Sequence, residues 1–270
     1  MKQKAFTLIE LLVVIAIVGI LSSVIYSNIT GLRDRARVTA GIRFDSSILH
    51  SIGDQLVGEW TFDLPTNLLA DTSGMGNNGS TTTSPVYYST GGYNNKGTFY
   101  FDGTDDVIKL GTSNVLAMET NDFTATAWIN PNALSAIWQG IIGGENGAFS
   151  VGIGNNILAV TKVGVSDAPI SNFNITNNLN KWTFVTVTFD SHSSANNLTY
   201  YINGVLNKKV TYNYNFDAGK KSYWIGLRGG SGGYFSGYID DVRIYTSTLS
   251  GSDIQKLYTE GKDSHNLANK

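Results

Sequence analysis

Hydrophobic residues fall along this chain in three successive patterns. From Ala5 to Tyr26 they run almost unbroken, AFTLIELLVVIAIVGILSSVIY, with one carboxylate, Glu10, near the start. A helix of about 21 residues at about 1.5 Å per residue is about 32 Å long, close to the hydrocarbon thickness of a bilayer. The run is therefore long enough to span a membrane. From Asn28 to about Gln55 polarity rises, and Ile29, Leu32, Ala36, Ala40, Phe44, Ile48, Ile52 and Leu56 recur every three or four positions. That period marks one face of a helix. No Pro interrupts it and Gly53 offers a stop, so the pattern predicts one long helix over 6–55, its second half packed on a globular domain. The apolar step drifts toward four rather than holding a heptad, which argues against an isolated coiled coil.

After Val57 the period changes to two. Gly, Asn, Ser and Thr punctuate short runs rich in Val, Ile, Thr, Tyr, Phe and Trp: GEWTFD, GTFYFDG, DVIKLG, FTATAWINP, GAFSVGIG, ILAVTKVG, KWTFVTVTFD, NLTYYI, VLNKKVTY, YWIGLRG and FSGYIDDVRIY. These read as strands. Asn203-Gly204 between YYI and VLN is a two-residue hairpin signal. Ser250 as N-cap, Asp253 three residues on, and Ile254, Leu257 and Tyr258 on one face predict a short last helix. So many strands in about 190 residues imply an all-β two-sheet sandwich or jelly roll over 56–262, with 263–270 as a flexible tail.

Composition adds two constraints. The chain has no cysteine among its 270 residues, so no disulfide framework supports the β domain, which needs a large core, a metal or assembly. Its net charge of −2 is uneven: through Asp45, six Lys and Arg oppose three carboxylates, so about −5 falls on the remainder. An acidic β domain disfavours a nucleic-acid partner. The basic residues near the apolar run lie on both sides of it, so the positive-inside rule leaves orientation open.

The N-terminus, with its short basic leader MKQKA and then FTLIELLVVIAIVGIL, resembles type IV prepilins and pseudopilins. A secretory signal would place its apolar core before the cleavage site; here the apolar run follows the leader. The resemblance implies that a prepilin peptidase cuts the 1–5 leader between Ala5 and Phe6. Phe6 then becomes the N-methylated terminus and Glu10 the assembly carboxylate. It further implies residence in the cytoplasmic membrane as a single pass, with the C-terminal domain outside, and then assembly with other pilin subunits into an extracellular filament. An ordinary signal anchor is the alternative, but an ionisable Glu10 in a bilayer costs several kcal/mol and is usually kept for a purpose. The family often carries a helix-breaking Pro where this chain has Ser27, although Gly19 remains as a weak point.

A second resemblance covers about 57–260. EWTFD, DTSGMGNNGS, FYFDGTDDVIKL, FTATAWIN, WTFVTVTFD, TYYINGVLN and GYIDDVRIYTSTLSGSDIQKLY occur in the order found in laminin-G-like, concanavalin A-like jelly rolls. It implies a carbohydrate-binding or adhesion module for a surface glycan or protein ligand, often with a structural calcium. Together the resemblances imply a pilin-like subunit displaying a binding domain. A major pilin whose jelly roll is only a coat, and a type II secretion-like pseudopilin, stay open as alternatives.

Catalytic candidates are thin. His50, His192 and His265 share no metal-ligand spacing and read as solvated. Glu59, Glu119, Glu145 and Glu260 are far apart in sequence, whereas retaining glycosidases of this fold need carboxylates about 5 to 5.5 Å apart. The reading is a non-enzyme. The glycine-rich GLRGGSGGYFSG runs strand to strand without the helix start of a phosphate cradle. It reads as a flexible loop in which Tyr234 could stack on a sugar, with Trp138, Tyr88, Tyr93, Tyr212 and Tyr214 as further stacking candidates or packing residues.

One metal site is expected near the junction of the first and last strands. Strict alternation in GYIDDVRI puts Asp240 on one face with Tyr238, Val242 and Ile244, aimed inward, where a lone charge is costly. The loop DTSGMGNNG offers Asp71, Ser73, Asn77 and Asn78, and Asp63 closes the preceding strand. Two arrangements satisfy these groups: one structural calcium held by Asp63, Asp71, Ser73, Asn78 and Asp240, or an Asx turn at Asp71 with Asp240 on buried backbone amides.

Overall fold

In the computed structural model the described residues are Leu12, Ile15, Ile17, 55–81, 83–110, 122–134, 138–217, 219, 221–229 and 232–268. Leu12, Ile15 and Ile17 are helical and exposed. Ala5, Phe6, Glu10 and the rest of the expected N-terminal helix lie outside the described residues. Among the described residues no helix is long and apolar enough to cross a membrane. Everything described from Gln55 onward belongs to one compact unit, Ile52–Lys270.

That unit is a sandwich of two antiparallel sheets. In chain order its strands are β1 (Leu56–Trp60), β2 (Gly79–Ser80), β3 (Val86–Tyr88), β4 (Thr98–Asp102), β5 (Ile108–Leu110), β6 (Phe123–Pro131), β7 (Gln139–Gly144), β8 (Phe149–Gly154), β9 (Ile157–Lys162), β10 (Ser166–Asp167), β11 (Thr183–Phe189), β12 (Leu198–Ile202), β13 (Val205–Val210), β14 (Tyr223–Ile225) and β15 (Ser236–Tyr245). One sheet runs β13-β12-β11-β6-β15-β4-β3, with β1 also paired to β15, and the other runs β10-β9-β8-β7-β14-β5-β2. Alternation sorts the side chains. Phe123, Ala125, Ala127 and Ile129 of β6 and Val185, Val187 and Phe189 of β11 meet Phe149, Val151 and Ile153 of β8 in one core. Phe123 and Phe149 stack across the two sheets at 4.0 Å. Burying each such ring stabilises the sandwich by about 1.5–3 kcal/mol.

The outward face of β6 is covered too. The C-terminal helix α1 (Gly251–Ala268) lays Tyr258 on Trp128 at 5.6 Å and on Phe184 at 6.1 Å. Ser250 starts this helix, its Oγ accepting from the Asp253 amide at 3.2 Å. The helix runs through residues assigned above to a tail, because no Pro or Gly follows Gly261 to end it. The Asn203-Gly204 turn forms as expected: φ is 49° and 75°, and Ile202 pairs with Val205.

Strands β2, β3, β7 and β10 were not anticipated. β7 is the instructive case, since its glycines read as loop. Gly140 and Gly143 sit against the Leu227 and Arg228 backbone with no room for a Cβ, so the strand requires them. GEWTFD and YWIGLRG are also shifted. β1 starts at Leu56 and stops at Trp60, before Phe62 turns to φ 58°, and β14 stops at Ile225, before Gly226 at φ 87°.

Candidate functional site

β15 holds the most unusual chemistry. Its register against β6 shifts between Asp240 and Arg243, and Asp241 takes φ 50°, so the strand carries a bulge. This corrects the alternation drawn from sequence. Ile239, Val242 and Ile244 enter the core, whereas Asp240, opposite Trp128, lies on the other face. It is nevertheless only 1% exposed, because the segment Gly92–Gly97 folds over it.

That segment, GYNNKG, closes on itself. The Gly92 amide donates to Lys96 O at 2.9 Å, the Asn95 amide to Gly92 O at 3.1 Å and the Lys96 amide to Asn94 Oδ1 at 2.9 Å. Two aspartates anchor it. Asp240 Oδ2 accepts from the Tyr93 amide at 3.0 Å, while Asp240 Oδ1 accepts from the Asp241 amide at 2.8 Å. Asp63 Oδ1 accepts from the Gly97 amide at 3.1 Å, and Asp63 Oδ2 accepts from Asn94 Nδ2 at 3.2 Å and pairs with Lys96 Nζ at 3.3 Å. A Cβ at Gly92 would lie 2.5 Å from Gly97 O, 2.6 Å from Asp240 Oδ2 and 3.0 Å from Lys96 O. Three oxygens thus crowd one point, and only glycine fits beside them. Phe62 O presses on Gly97 in the same way, while the Phe62 ring is pinned edge-on to Phe99 at 5.0 Å. A bulky residue held at positive φ is strained by about 1–3 kcal/mol, and packing here over-determines it.

The electrostatics follow from burial. Desolvation, reinforced by the charges of Asp241 and Asp63, pushes the Asp240 carboxyl well above the usual carboxylate range, against the pull of its two amide hydrogen bonds. Burial also raises Asp241, although Arg243 opposes it. Arg243 links Asp241 at 3.4 Å to Glu59 at 2.7 Å. Burial works against the Glu59 charge, but the Arg243 guanidinium and the Thr72 hydroxyl overcome it and hold Glu59 below its ordinary value. Asp63 is thus paired with Lys96 and Asp241 with Arg243, while both Asp240 oxygens accept backbone amides. Among the described residues, the groups spaced closely enough to share a metal ion are instead Asp122, Asp190 and His192, and Asp102, Asp105 and Asp106.

Asp71, Ser73 and Asn78 form a second cluster. Asp71 Oδ1 accepts from the amides of Glu59 at 2.9 Å and Ser73 at 3.0 Å and from Ser73 Oγ at 2.6 Å, and its Oδ2 accepts from the Asn77 amide at 2.8 Å. Asn78 Oδ1 accepts from the Asp71 amide at 2.9 Å, and Asn77 Nδ2 donates to Val57 O at 2.7 Å. Both Asp71 oxygens are occupied by this turn, and both Asp240 oxygens by the amides of Tyr93 and Asp241; these are the hydrogen bonds of the second of the two arrangements considered above. The structure thus brings Asp63 and Asp240 onto one loop and gathers Ser73 and Asn78 on Asp71, which is tied to β1 through the Glu59 amide.

Tyr234 is half-buried and pairs with Leu227 across the glycine-rich hairpin. Gly233 O accepts from the amides of Gly140 and Arg228, at 2.8 and 3.1 Å, and straps that hairpin onto β7. Trp138 lies on Gly152 and Gly154, with the Arg228 guanidinium 4.8 Å above its ring. Tyr212 is a core residue, Tyr214 is exposed, and Tyr93 stacks on Trp128 at 3.3 Å. His192, read as solvated, has Nδ1 3.2 Å from Asp122 Oδ2. His50, Glu119 and the His265 side chain lie outside the described residues. Sequence reasoning missed the Gly92–Gly97 cover, whose signal was the paired glycines flanking YNNK, and Asp241, adjacent to a residue it did select.

The sandwich superposes on solved structures of the same fold. The binding domain of Paraclostridial Mosquitocidal Protein 1 matches with a TM-score of 0.61 at 17% identity, over 76% of this chain and 52% of that one. Domain 4 of AbnA, a GH43 extracellular arabinanase from Geobacillus stearothermophilus, solved with arabinotriose, matches with a TM-score of 0.57 at 20% identity, over 76% of this chain and 98% of that one. The binding domain of botulinum neurotoxin DC, solved with rat synaptotagmin II, matches with a TM-score of 0.59 at 21% identity, over 78% and 52%. This chain spans about half the length of the first and third structures, and at these identities the likeness is one of fold. The prokaryotic N-terminal methylation motif matches residues 1–26. The concanavalin A-like lectin/glucanases pattern matches residues 102–255, more than half of the sequence, and the chain belongs to that superfamily.

Proposed function

We propose that this protein is a type IV pilin-like filament subunit that displays a non-catalytic, lectin-like binding domain outside the cell. The carrying observation is that one chain joins the N-terminal methylation motif at residues 1–26 to a concanavalin A-like sandwich. In this reading prepilin peptidase cuts between Ala5 and Phe6 while the chain sits in the cytoplasmic membrane. Glu10 then pairs with the new amine of a neighbouring subunit, and the sandwich faces outward from the filament. Its ligand is a glycan or protein at another surface. Glu59 is engaged by Arg243 and Thr72, which supports a structural rather than a catalytic role for it. One calcium ion on Asp63, Asp240 and nearby backbone carbonyls would stabilise the cysteine-free domain.

The test is to purify sheared filaments, determine the N-terminal residue of the subunit and image the domain along their length. A methylated Phe6 terminus with domains at sparse positions is expected. An uncut Met1 terminus overturns the reading, and domains at every repeat would make this the major coat subunit instead.

A further inference from the structure

The outward face of the larger sheet carries an aromatic surface distant in sequence from Tyr234. Tyr100 of β4 pairs with Val86 of β3 on one side and Tyr238 of β15 on the other, and Tyr238 pairs with Asn130 of β6. Their strand neighbours Phe99, Phe101, Ile239 and Ile129 point into the core, so this row points away from it. The rings touch in sequence. Tyr88 lies 5.6 Å from Tyr238, Tyr100 lies 5.0 Å from it, and Trp182 lies 6.3 Å from it on the far side. Tyr88 is 43% and Val86 49% exposed, and the other three rings are half-buried.

Three features give this surface a chemical identity. First, contiguous rings outside a core are uncommon unless something covers them. Second, the rings carry unused polar tips. Asn132, fixed by Ser236 Oγ at 2.7 Å, donates from Nδ2 to Tyr100 Oη at 2.9 Å, which leaves the phenol proton of Tyr100 to be given elsewhere. Among the described residues that proton, the hydroxyls of Tyr88 and Tyr238 and the indole N–H of Trp182 have no protein partner. Third, the row Val86, Tyr100, Tyr238, Asn130 is uncharged. Flat faces with hydroxyl, amide and indole groups at their rims suit a ligand whose rings present C–H on one side and hydroxyls at the edge. We infer that Tyr88, Tyr100, Tyr238 and Trp182 form a binding platform for a neutral oligosaccharide, stacked along the row and hydrogen-bonded by the phenols and Asn130. This deepens, and rests on, the reading of the sandwich as a displayed binding domain.

The experiment takes the full chain in detergent micelles to an array of neutral and acidic oligosaccharides. The tightest binder is then titrated against tryptophan fluorescence, since Trp182 lies within the platform. Retention of neutral saccharides is expected, with Tyr88→Ala and Trp182→Ala each weakening binding at least about tenfold and Tyr234→Ala leaving it unchanged. Tyr88 is exposed at the edge of the sheet, so its variant keeps the test valid if Trp182→Ala fails to fold. Binding that survives both variants overturns the platform while leaving the binding reading intact. Selection of acidic glycans only, or loss through Tyr234→Ala instead, also overturns it. Failure to retain any saccharide overturns the platform and the glycan ligand together, leaving filament assembly to its own test.

Discussion

Replacing Asp240 with Asn tests the calcium proposal, because the structure sets opposing effects at that one side chain. Asp240 accepts two amide hydrogen bonds, and an Asn oxygen can keep one of them while its NH2 group faces the other donor. Losing a hydrogen bond to a charged group costs about 1.5–3 kcal/mol. Removing the charge also relieves repulsion from Asp241 and Asp63, which offsets part of that cost, so in chelator the variant should differ little from the parent chain. Calcium separates them. At about 100 times its Kd, a bound ion contributes about 2.7 kcal/mol. For a domain of about 200 residues each kcal/mol moves the midpoint by about 2–4 °C, so the parent chain should gain about 5–10 °C and Asp240→Asn almost none. The assay is thermal unfolding followed by circular dichroism, with excess calcium or chelator. Asp71→Ala should lower both midpoints and leave the calcium increment intact, because Asp71 holds the turn that follows β1 and not the Gly92–Gly97 loop. An unchanged parent midpoint would refute a stabilising ion, and an equal increment in Asp240→Asn would refute its placement.

The metal-free protein should respond to pH in two directions. The folded pKa of Asp240 is raised, so the folded state binds protons more tightly, and stability falls as pH rises from about 3.9, the ordinary aspartate value, through the raised one; mild acidification in chelator should therefore raise the midpoint. Glu59 is depressed, so its contribution is full above about 4.3 and is lost as pH falls through its folded value; Arg243→Ala should remove that dependence and cost about 3–5 kcal/mol in chemical denaturation by leaving buried carboxylates unpaired. Gly92→Ala, whose Cβ meets the oxygens of Asp240, Gly97 and Lys96, should destabilise by about 1–3 kcal/mol and abolish any calcium increment. Glu10→Gln should sharply reduce filament yield in cells that still process the leader, since a Phe6 amine and Glu10 about 4 Å apart attract by about 4 kcal/mol at an effective dielectric of about 20; undiminished incorporation would refute the pairing.

Which parts of this architecture could be read from the chain depends on the range of the interaction. Period two marked most strands, because each residue of β6, β8 or β11 chooses a face by its own polarity. The Asn203-Gly204 turn and the Ser250 cap were legible for a similar reason: the donor, the acceptor and the required φ all lie within a few residues. β7 was not. Its glycines read as loop until Leu227 and Arg228 are laid against them, and a backbone from some 85 residues away leaves no periodic trace. Asp240 failed in the opposite way, since its own strand pattern was clear and misleading. One extra residue at Asp241 reverses the facing of everything before it, and nothing in IDDVRI says that the bulge falls there and not elsewhere. The consequence reaches function. Because of the bulge, Asp240 faces Gly92–Gly97 rather than the core, so the same irregularity that sends Val242 and Ile244 inward brings a buried carboxylate to a loop of carbonyls beside Asp63. It also leaves Tyr238 on the outward face in line with Tyr100. One residue of register therefore sets both the carboxylate cluster and the aromatic row.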